Sequence, residues 1–452
     1  IKWEGVTNSI TAWGVDAGND GFAASEEFTW KLWDASTESE YLAVATYNLI
    51  DFPMGSTYVT NGISGLLSLV ALTIETQTIN IPQGWSMFST YIDPFEPGVD
   101  SVLADIAANV TIVKNGMGMV YWPAWGINNI GSLVIGEGYQ IYVTSAQILT
   151  VEGISVVPEI TPITIPAGWS IMGYLRQAPA DIAVMLVPLT IYGSVTLVKN
   201  GLGLVYWPAY FINNIGNMNP GEGYQINMVS SQVLTFPANT NFSKIFSFEK
   251  ENKIYINKIN SGNNMTIGIP LESWQIQPEF GDEIGVFNSH GNLVGSTVFT
   301  GKNIAITVWG NNEISNVSTL IDEGETFSLK LWNTKLNSEE TLEIVSWIEG
   351  NDSYSNNGIS VVNDLKISGH VELFQNAPNP CSTATEIKFY ISEETHVVID
   401  IYNVLGEMLD EIVNSNFNQG MNTVEFNVEN YSSGTYFYKI STENYSATDR
   451  KS

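Results

Sequence analysis

The chain has 452 residues, with 17 Lys+Arg against 47 Asp+Glu and a net charge of -30. That balance excludes the basic patches that nucleic-acid binding requires and disfavours anionic membrane surfaces. No apolar run approaches the roughly 20 residues of a membrane span, and the single cysteine, Cys381, rules out an intrachain disulfide.

Residues 1–78 alternate apolar and polar side chains, with strands predicted at Thr29–Trp33 and Tyr41–Ala45. Within this segment, Asp16-Ala17-Gly18-Asn19-Asp20-Gly21 with Glu27 at the twelfth position is the best metal candidate. Asp16, Asp20, Gly21 and Glu27 stand at the first, fifth, sixth and twelfth positions of a calcium loop. Gly18 offers no side-chain oxygen at the third, and the flanks read as strands, so a solvated acidic turn is the competing reading. No cofactor other than calcium is indicated.

The segment recurs downstream. Ile10–Gly14 matches Ile306–Gly310, Phe28–Trp33 matches Phe327–Trp332, and Asn61-Gly62-Ile63-Ser64 matches Asn357-Gly358-Ile359-Ser360. This is module A, with copies A1 (residues 1–78) and A2 (residues 241–368). A2 begins near Phe242 and carries a stretch, including Phe280–Phe287, that A1 lacks. A1 is therefore expected to open in the middle of a module. Its apolar face and sheet edge then await residues before Ile1 or another chain.

Between them lie two copies of a module B: B1 (residues 79–158) and B2 (residues 159–240). Residues 114–141 and 199–226 are identical at 20 of 28 positions, a duplication that outweighs any single motif. Each copy opens on Ile-Pro-x-Gly-Trp-Ser, from Ile81 and Ile165. Val99–Asn109 and Pro179–Val187 are each expected to form one short helix, and the two copies are expected to pair. Residues 369–452 show short strands at regular spacing, the pattern of a β-sandwich. The fold class is all-β: tandem β-sandwich and small β modules ending in an immunoglobulin-like sandwich.

Four motifs stand in order in this last segment. They are Asn376-Ala377-Pro378-Asn379-Pro380, Thr385-x-Ile387, Tyr402-Asn403-Val404-Leu405-Gly406, and Ser433-Gly434-Thr435-Tyr436-Phe437-Tyr438-Lys439. The segment resembles the C-terminal sorting domain (type A) of proteins exported by the type IX secretion system of Bacteroidetes. Pro378, Pro380, Tyr402, Gly406, Gly434, Tyr436 and Lys439 carry the likeness. Cys381, Asn403 and Glu407 depart from it, standing where Phe, Asp and Arg are common. The resemblance implies the type IX machinery as partner, an extracellular or outer-surface location, and removal of the domain by a sortase-like peptidase. Modules A and B resemble the repeats that precede such domains in Bacteroidetes surface proteins.

Signals of catalysis are weak. His290, His370 and His396 are far apart, with no ligand spacing around them. Glu137 and Glu222 occupy the same position in two Gly-Glu-Gly-Tyr turns, which reads as turn chemistry rather than a glycosidase pair. Trp122 and Trp207 are assigned to cores, and Trp125 and Tyr210 to a ligand- or contact-forming surface. The sequence therefore predicts a secreted, non-catalytic structural or adhesive surface protein that self-associates or meets neighbouring surface proteins, with fibre assembly through intermolecular β contacts. The alternatives are an accessory C-terminal region of a larger secreted hydrolase, or a carbohydrate-binding array with glycans as partners.

Overall fold

A computed structural model describes residues 8–16, 18, 20–71, 74–239, 252–257, 259–314, 317–335, 337–442 and 446–451. Phe242, expected to open A2, and Ala17 and Asn19 of the acidic loop lie outside them. The fold is all-β, with mostly antiparallel sheets. The expected short helices each divide into two turns, Val99–Val102 with Ala104–Asn109, and Ile182–Met185 with Val187–Thr190. The second pair is capped by Asp181, whose carboxylate accepts from the Ala183 and Val184 amides at 2.8 and 3.3 Å.

The two A copies share one register. In A1, Trp30–Asp34 pairs with Ser39–Tyr47 through Trp30↔Ala43 to Asp34↔Ser39; in A2, Ser328–Asn333 pairs with Ser338–Glu349 through Leu329↔Leu342 to Asn333↔Ser338. The cross-strand pairs Lys31–Glu40 and Lys330–Glu339 both close at 2.7 Å. Gly14 and Gly310 are also equivalent. A Cβ at either would lie 2.5 or 2.1 Å from the hydroxyl oxygen of Tyr58 or Tyr354, so the tyrosine excludes any side chain there.

The surroundings of this shared ladder differ. In A2, seven strands wrap round one core, ordered Leu293–Val298, Glu283–Phe287, Ser328–Asn333, Ser338–Glu349, Ile359–Ile367, Asn264–Ile269, Ile304–Trp309. Leu329, Leu331, Leu342 and Leu365 are buried in that core. In A1 the described sheet has three strands, Trp30–Asp34, Ser39–Tyr47 and Leu66–Ala71. The counterparts of the core residues, Trp30, Leu32, Ala43 and Leu69, are only half-buried. Among the described residues, Trp30–Asp34 has no partner on the edge where A2 pairs with Glu283–Phe287.

B1 combines a five-stranded sheet with a three-stranded one, and B2 a five-stranded sheet with two two-stranded ones, over separate cores. They pair about a pseudo-twofold axis. The Ser89 amide donates to the Gly221 carbonyl (3.0 Å), and the equivalent Gly173 amide donates to Gly136 (2.8 Å). The bridges Phe88↔Glu222 and Glu137↔Met172 repeat the same exchange. Backbones meet because Gly138 and Gly223 have no side chain; a Cβ would lie 2.7 Å from the Met172 carbonyl oxygen and 2.9 Å from that of Phe88, respectively.

The terminal segment stacks a three-stranded sheet (Val371–Leu373, Ala384–Ile391, Gly420–Asn427) on a four-stranded one (Met408–Phe417, Thr395–Tyr402, Tyr436–Ser441, Ser446–Lys451). Ile387, Phe389, Ile399, Ile401 and Tyr438 fill the space between, as in a β-sandwich. A direct consequence of the A comparison concerns stability. Leu331→Ala should cost roughly 2–5 kcal/mol, the range for a fully buried leucine, whereas Leu32→Ala should cost clearly less. Hydrogen-exchange protection of the strands Ser328–Asn333 and Trp30–Asp34 measures both.

Candidate functional site

In the repeated B stretch, Val205–Trp207 and Ile212–Asn213 form the outer strands of the B2 sheet, joined by the turn Pro208–Tyr210. Alternation sends Tyr206 into the B2 core and turns Val205 and Trp207 to the opposite side. There they meet A2. Leu197, Val205, Trp207 and Ile212 pack on Ala305 and Val361. The Trp207 ring lies over Gly268, where a Cβ would come within 2.9 Å of it. Trp207 thus fills an interface between units, not the core of its own unit as the sequence suggested. Tyr210, expected at the surface, is half-buried beside it, edge-on at 4.8 Å, and its carbonyl accepts from Asn303 at 2.8 Å.

The same contact buries Lys199, which is 1% exposed. Its Nζ donates to Asn264 Oδ1 at 2.7 Å and sits 4.9 Å from the centre of the Trp169 ring. Desolvation without a facing carboxylate pushes this ammonium down to about 7. In B1 the equivalent Lys114 lies 4.8 Å from Trp85 and is lowered for the same reason.

On B1, A2 lies against Trp85 and Gln140 of the equivalent face, while the end at Trp125 and Ile127 is open. Trp125 is 73% exposed and edge-on to Trp122 at 6.3 Å. Trp122 is half-buried and Ile127 exposed, whereas their counterparts Trp207 and Ile212 are buried.

The remaining candidates are dispersed. Glu137 and Glu222 lie in the B1–B2 seam, each beside the tyrosine two residues on, with Glu222 accepting from Tyr224 at 2.6 Å and Glu137 from Tyr139 at 3.3 Å. Burial first, and these carboxylates after it, hold both phenols well above their ordinary range. His370 bridges A2 and the terminal domain, its Nδ1 3.3 Å from Glu340 and its amide donating to Ser392 at 2.9 Å. His290 lies 3.7 Å from Glu325. Asp16, Asp20 and Glu27 are exposed, and Glu27 forms a backbone bridge with Thr57. Among the described residues no three His, Cys, Asp or Glu side chains are grouped to hold a metal ion, so the structure does not bring Asp16, Asp20 and Glu27 together as a ligand set.

In the terminal domain the separated motifs converge. The Asn376 amide donates to the Tyr438 hydroxyl (2.9 Å), and Asn376 Nδ2 donates to Thr385 (2.8 Å), whose hydroxyl donates to the Pro378 carbonyl. Pro378 and Pro380 are exposed on this loop, each after a cis peptide bond. The Tyr402–Gly406 turn is closed by Asn403 Oδ1, which accepts from the Leu405 and Glu407 amides at 2.9 and 3.0 Å. Tyr402, Asn403, Val404, Gly406, Phe437 and Lys439 line a cleft of about 330 Å³. Gly434 is exposed, and half-buried Tyr436 donates to the Ser432 carbonyl at 2.8 Å.

This sandwich joins, across both sheets, the motifs that the sequence places far apart. Residues 377–451 match the family described as the secretion system C-terminal sorting domain. The chain thus ends in a type IX sorting domain, a partner of that secretion machinery, and is secreted to the outer surface. No helix among the described residues is long and apolar enough to cross a membrane. No curated protein matches the chain. Similar solved structures include a DUF3823 family protein from Bacteroides ovatus (8% identity, covering 42% of this chain and 96% of that one, TM-score 0.15). Others are a putative carbohydrate binding protein from Bacteroides uniformis (11%, 41% and 90%, TM-score 0.16), and dimeric latent PorU from Porphyromonas gingivalis (10%, 83% and 29%, TM-score 0.17). At these scores the likenesses carry no argument for this chain.

Two measurements follow. Deleting residues 377–451 should leave the protein inside a type IX-secreting cell, with none in the medium or on the surface by immunoblot of fractions. Lys199 supplies a pH dependence. Its folded pKa lies below the unfolded 10.5, so between about 7 and 10.5 the unfolded chain binds the extra proton and stability rises with pH. The penalty is fully present below 7. Lys199→Met should flatten the rise in urea midpoint between pH 7 and 10, followed by tryptophan fluorescence.

Proposed function

We propose that this protein is a non-catalytic structural or adhesive component of the cell surface, whose β units serve as rigid spacers and as contacts between neighbouring molecules. The observation that carries the reading is the A1 sheet. Its inner residues Trp30, Leu32, Ala43 and Leu69 stay half-buried where A2 seals the same positions. Among the described residues the edge at Trp30–Asp34 is unpaired; such an edge beside a half-buried apolar face is a template for pairing, and the reading extends this to assembly into a fibre. Dispersal is aided by the net charge of -30, so association depends on specific contacts and strengthens with salt.

B1, B2 and A2 support the spacer role, because hydrogen bonds tie each to the others. Asn260 donates to the Trp85 and Gly201 carbonyls at 3.2 and 2.7 Å, linking all three. Sedimentation velocity over a wide concentration range is the test. The expected result is mass well above 49.7 kDa that increases with concentration and salt, and negative-stain micrographs of chains of particles. Dispersed monomers under all these conditions would reject the assembly role.

A further inference from the structure

The joint between A2 and the terminal domain leaves almost no chain outside the two folded units. The last A2 strand ends at Ile367, and the first strand of the terminal sandwich begins at Val371. Both residues are sealed in cores, Ile367 in that of A2 at 4% exposed and Val371 in that of the sandwich at 2%. Ser368, Gly369 and His370 between them are half-buried. Their backbone is paired as well. The Ser368 amide donates to the Thr341 carbonyl at 2.8 Å, the His370 amide to Ser392 Oγ at 2.9 Å, and the His370 carbonyl accepts from the Ser392 amide at 2.9 Å. The His370 ring adds a contact across the joint, with Nδ1 3.3 Å from Glu340 of A2 and the ring beside Tyr390 of the terminal sheet. Gly369 stands at φ 66°, a left-handed kink that an extended chain does not have.

A peptidase hydrolyses a peptide bond only when the chain on both sides of it lies extended in the enzyme's cleft, so cutting concentrates on exposed, unpaired loops. Extending the chain around Gly369 would draw Ile367 or Val371 out of its core and break the pairs Leu342↔Ile367 or Val371↔Ile391. From this we infer that the joint Ser368–His370 is closed to peptidases in the folded protein, and that the terminal sandwich stays on the mature surface protein as its last structural unit. The family resemblance implies removal of this domain; the folded joint opposes it, whether or not the molecules assemble. Only local unfolding exposes the joint, and cutting then follows the opened fraction. The following loop, 374–383, is no substitute. Ala377 in it is bridged to Glu386, and Asn376 is 2% exposed and held by the Tyr438 hydroxyl. A cut there also leaves the strand Val371–Leu373 on A2, so the sandwich is split rather than released.

The test uses the full chain, exported by a type IX-secreting cell that trims a second sorting-domain protein, which reports that the peptidase is active. Mass spectrometry of the protein recovered from surface and medium should find peptides from residues 377–451 still attached, while the control protein has lost its own domain. A second chain carries a flexible Gly-Ser insert of about ten residues between Ser368 and Gly369, which frees the joint and leaves both folded units in place. It should lose residues 377–451, with its new C-terminus at the widened joint. In vitro, subtilisin should make no cut between Ile367 and Val371 in the native chain and should cut there in urea. Surface protein of natural sequence that ends between Ile367 and Val371 overturns the inference, and so does a native subtilisin cut there. An insert-bearing chain that keeps residues 377–451 at the surface also overturns it, because closure of the joint is then not what retains the domain.

Discussion

The ring of Trp207 sits between two units and holds them in one arrangement. It is 2% exposed, and it reaches that state only because Gly268 of A2 leaves room beneath it. Burial of a large aromatic contributes about 1.5–3 kcal/mol, more than a pair of exposed ions would. The rest of the ordered assembly depends on this contact. A2 carries the terminal domain through His370 and Glu340, and B2 carries B1 through the backbone seam. Lys199 is the unfavourable element of the same interface. Its ammonium is desolvated opposite a neutral amide, and the Trp169 face returns on the order of 1–2 kcal/mol.

Covering apolar sheet faces is the constraint common to all the units. A2 covers its inner face with its own strands, B1 and B2 cover part of theirs with each other's backbone, and B2 covers its outer face with A2. The described part of A1 has the ladder and lacks the cover. The first strand pair keeps one register in A1 and A2 although its surroundings differ, so local pattern and cross-strand pairing set it. What lies over it is supplied from elsewhere in the sequence, as the added strands of A2 demonstrate.

Much of the architecture was legible in the residues. The B duplication, the A correspondence and the sorting motifs are all stretches in which side-chain identity is itself the signal. That B1 and B2 pair was expected from the duplication, but the residues of the seam were not legible, because it is made by backbone groups at Gly136, Gly173 and Gly221. The Gly-Glu-Gly-Tyr turns advertise flexibility and say nothing about what comes against them. Trp122 and Trp207 are harder still. They occupy identical local sequences and differ in burial because only one has an A unit upon it. No window of sequence around either residue contains that information. The separation between Tyr402 and Lys439 likewise concealed that they share one cleft, which the pairing of Thr395–Tyr402 with Tyr436–Ser441 creates.

The turn after Pro208 shows how strongly the module is specified by its frame. B1 has Gly126 at the last position, at φ 61°, and B2 has Phe211 at φ 54°. A phenylalanine in the left-handed region is disfavoured by about 1–2 kcal/mol relative to glycine, and this one is 93% exposed, so its side chain recovers none of that by burial. The conformation survives because the strands on either side, Val205–Trp207 and Ile212–Asn213, are fixed by pairing and by Trp207 against A2. The same angle recurs at Gly126 in B1, where Trp125 beside it is exposed, so the paired strands of the module set the turn and Phe211 conforms to it.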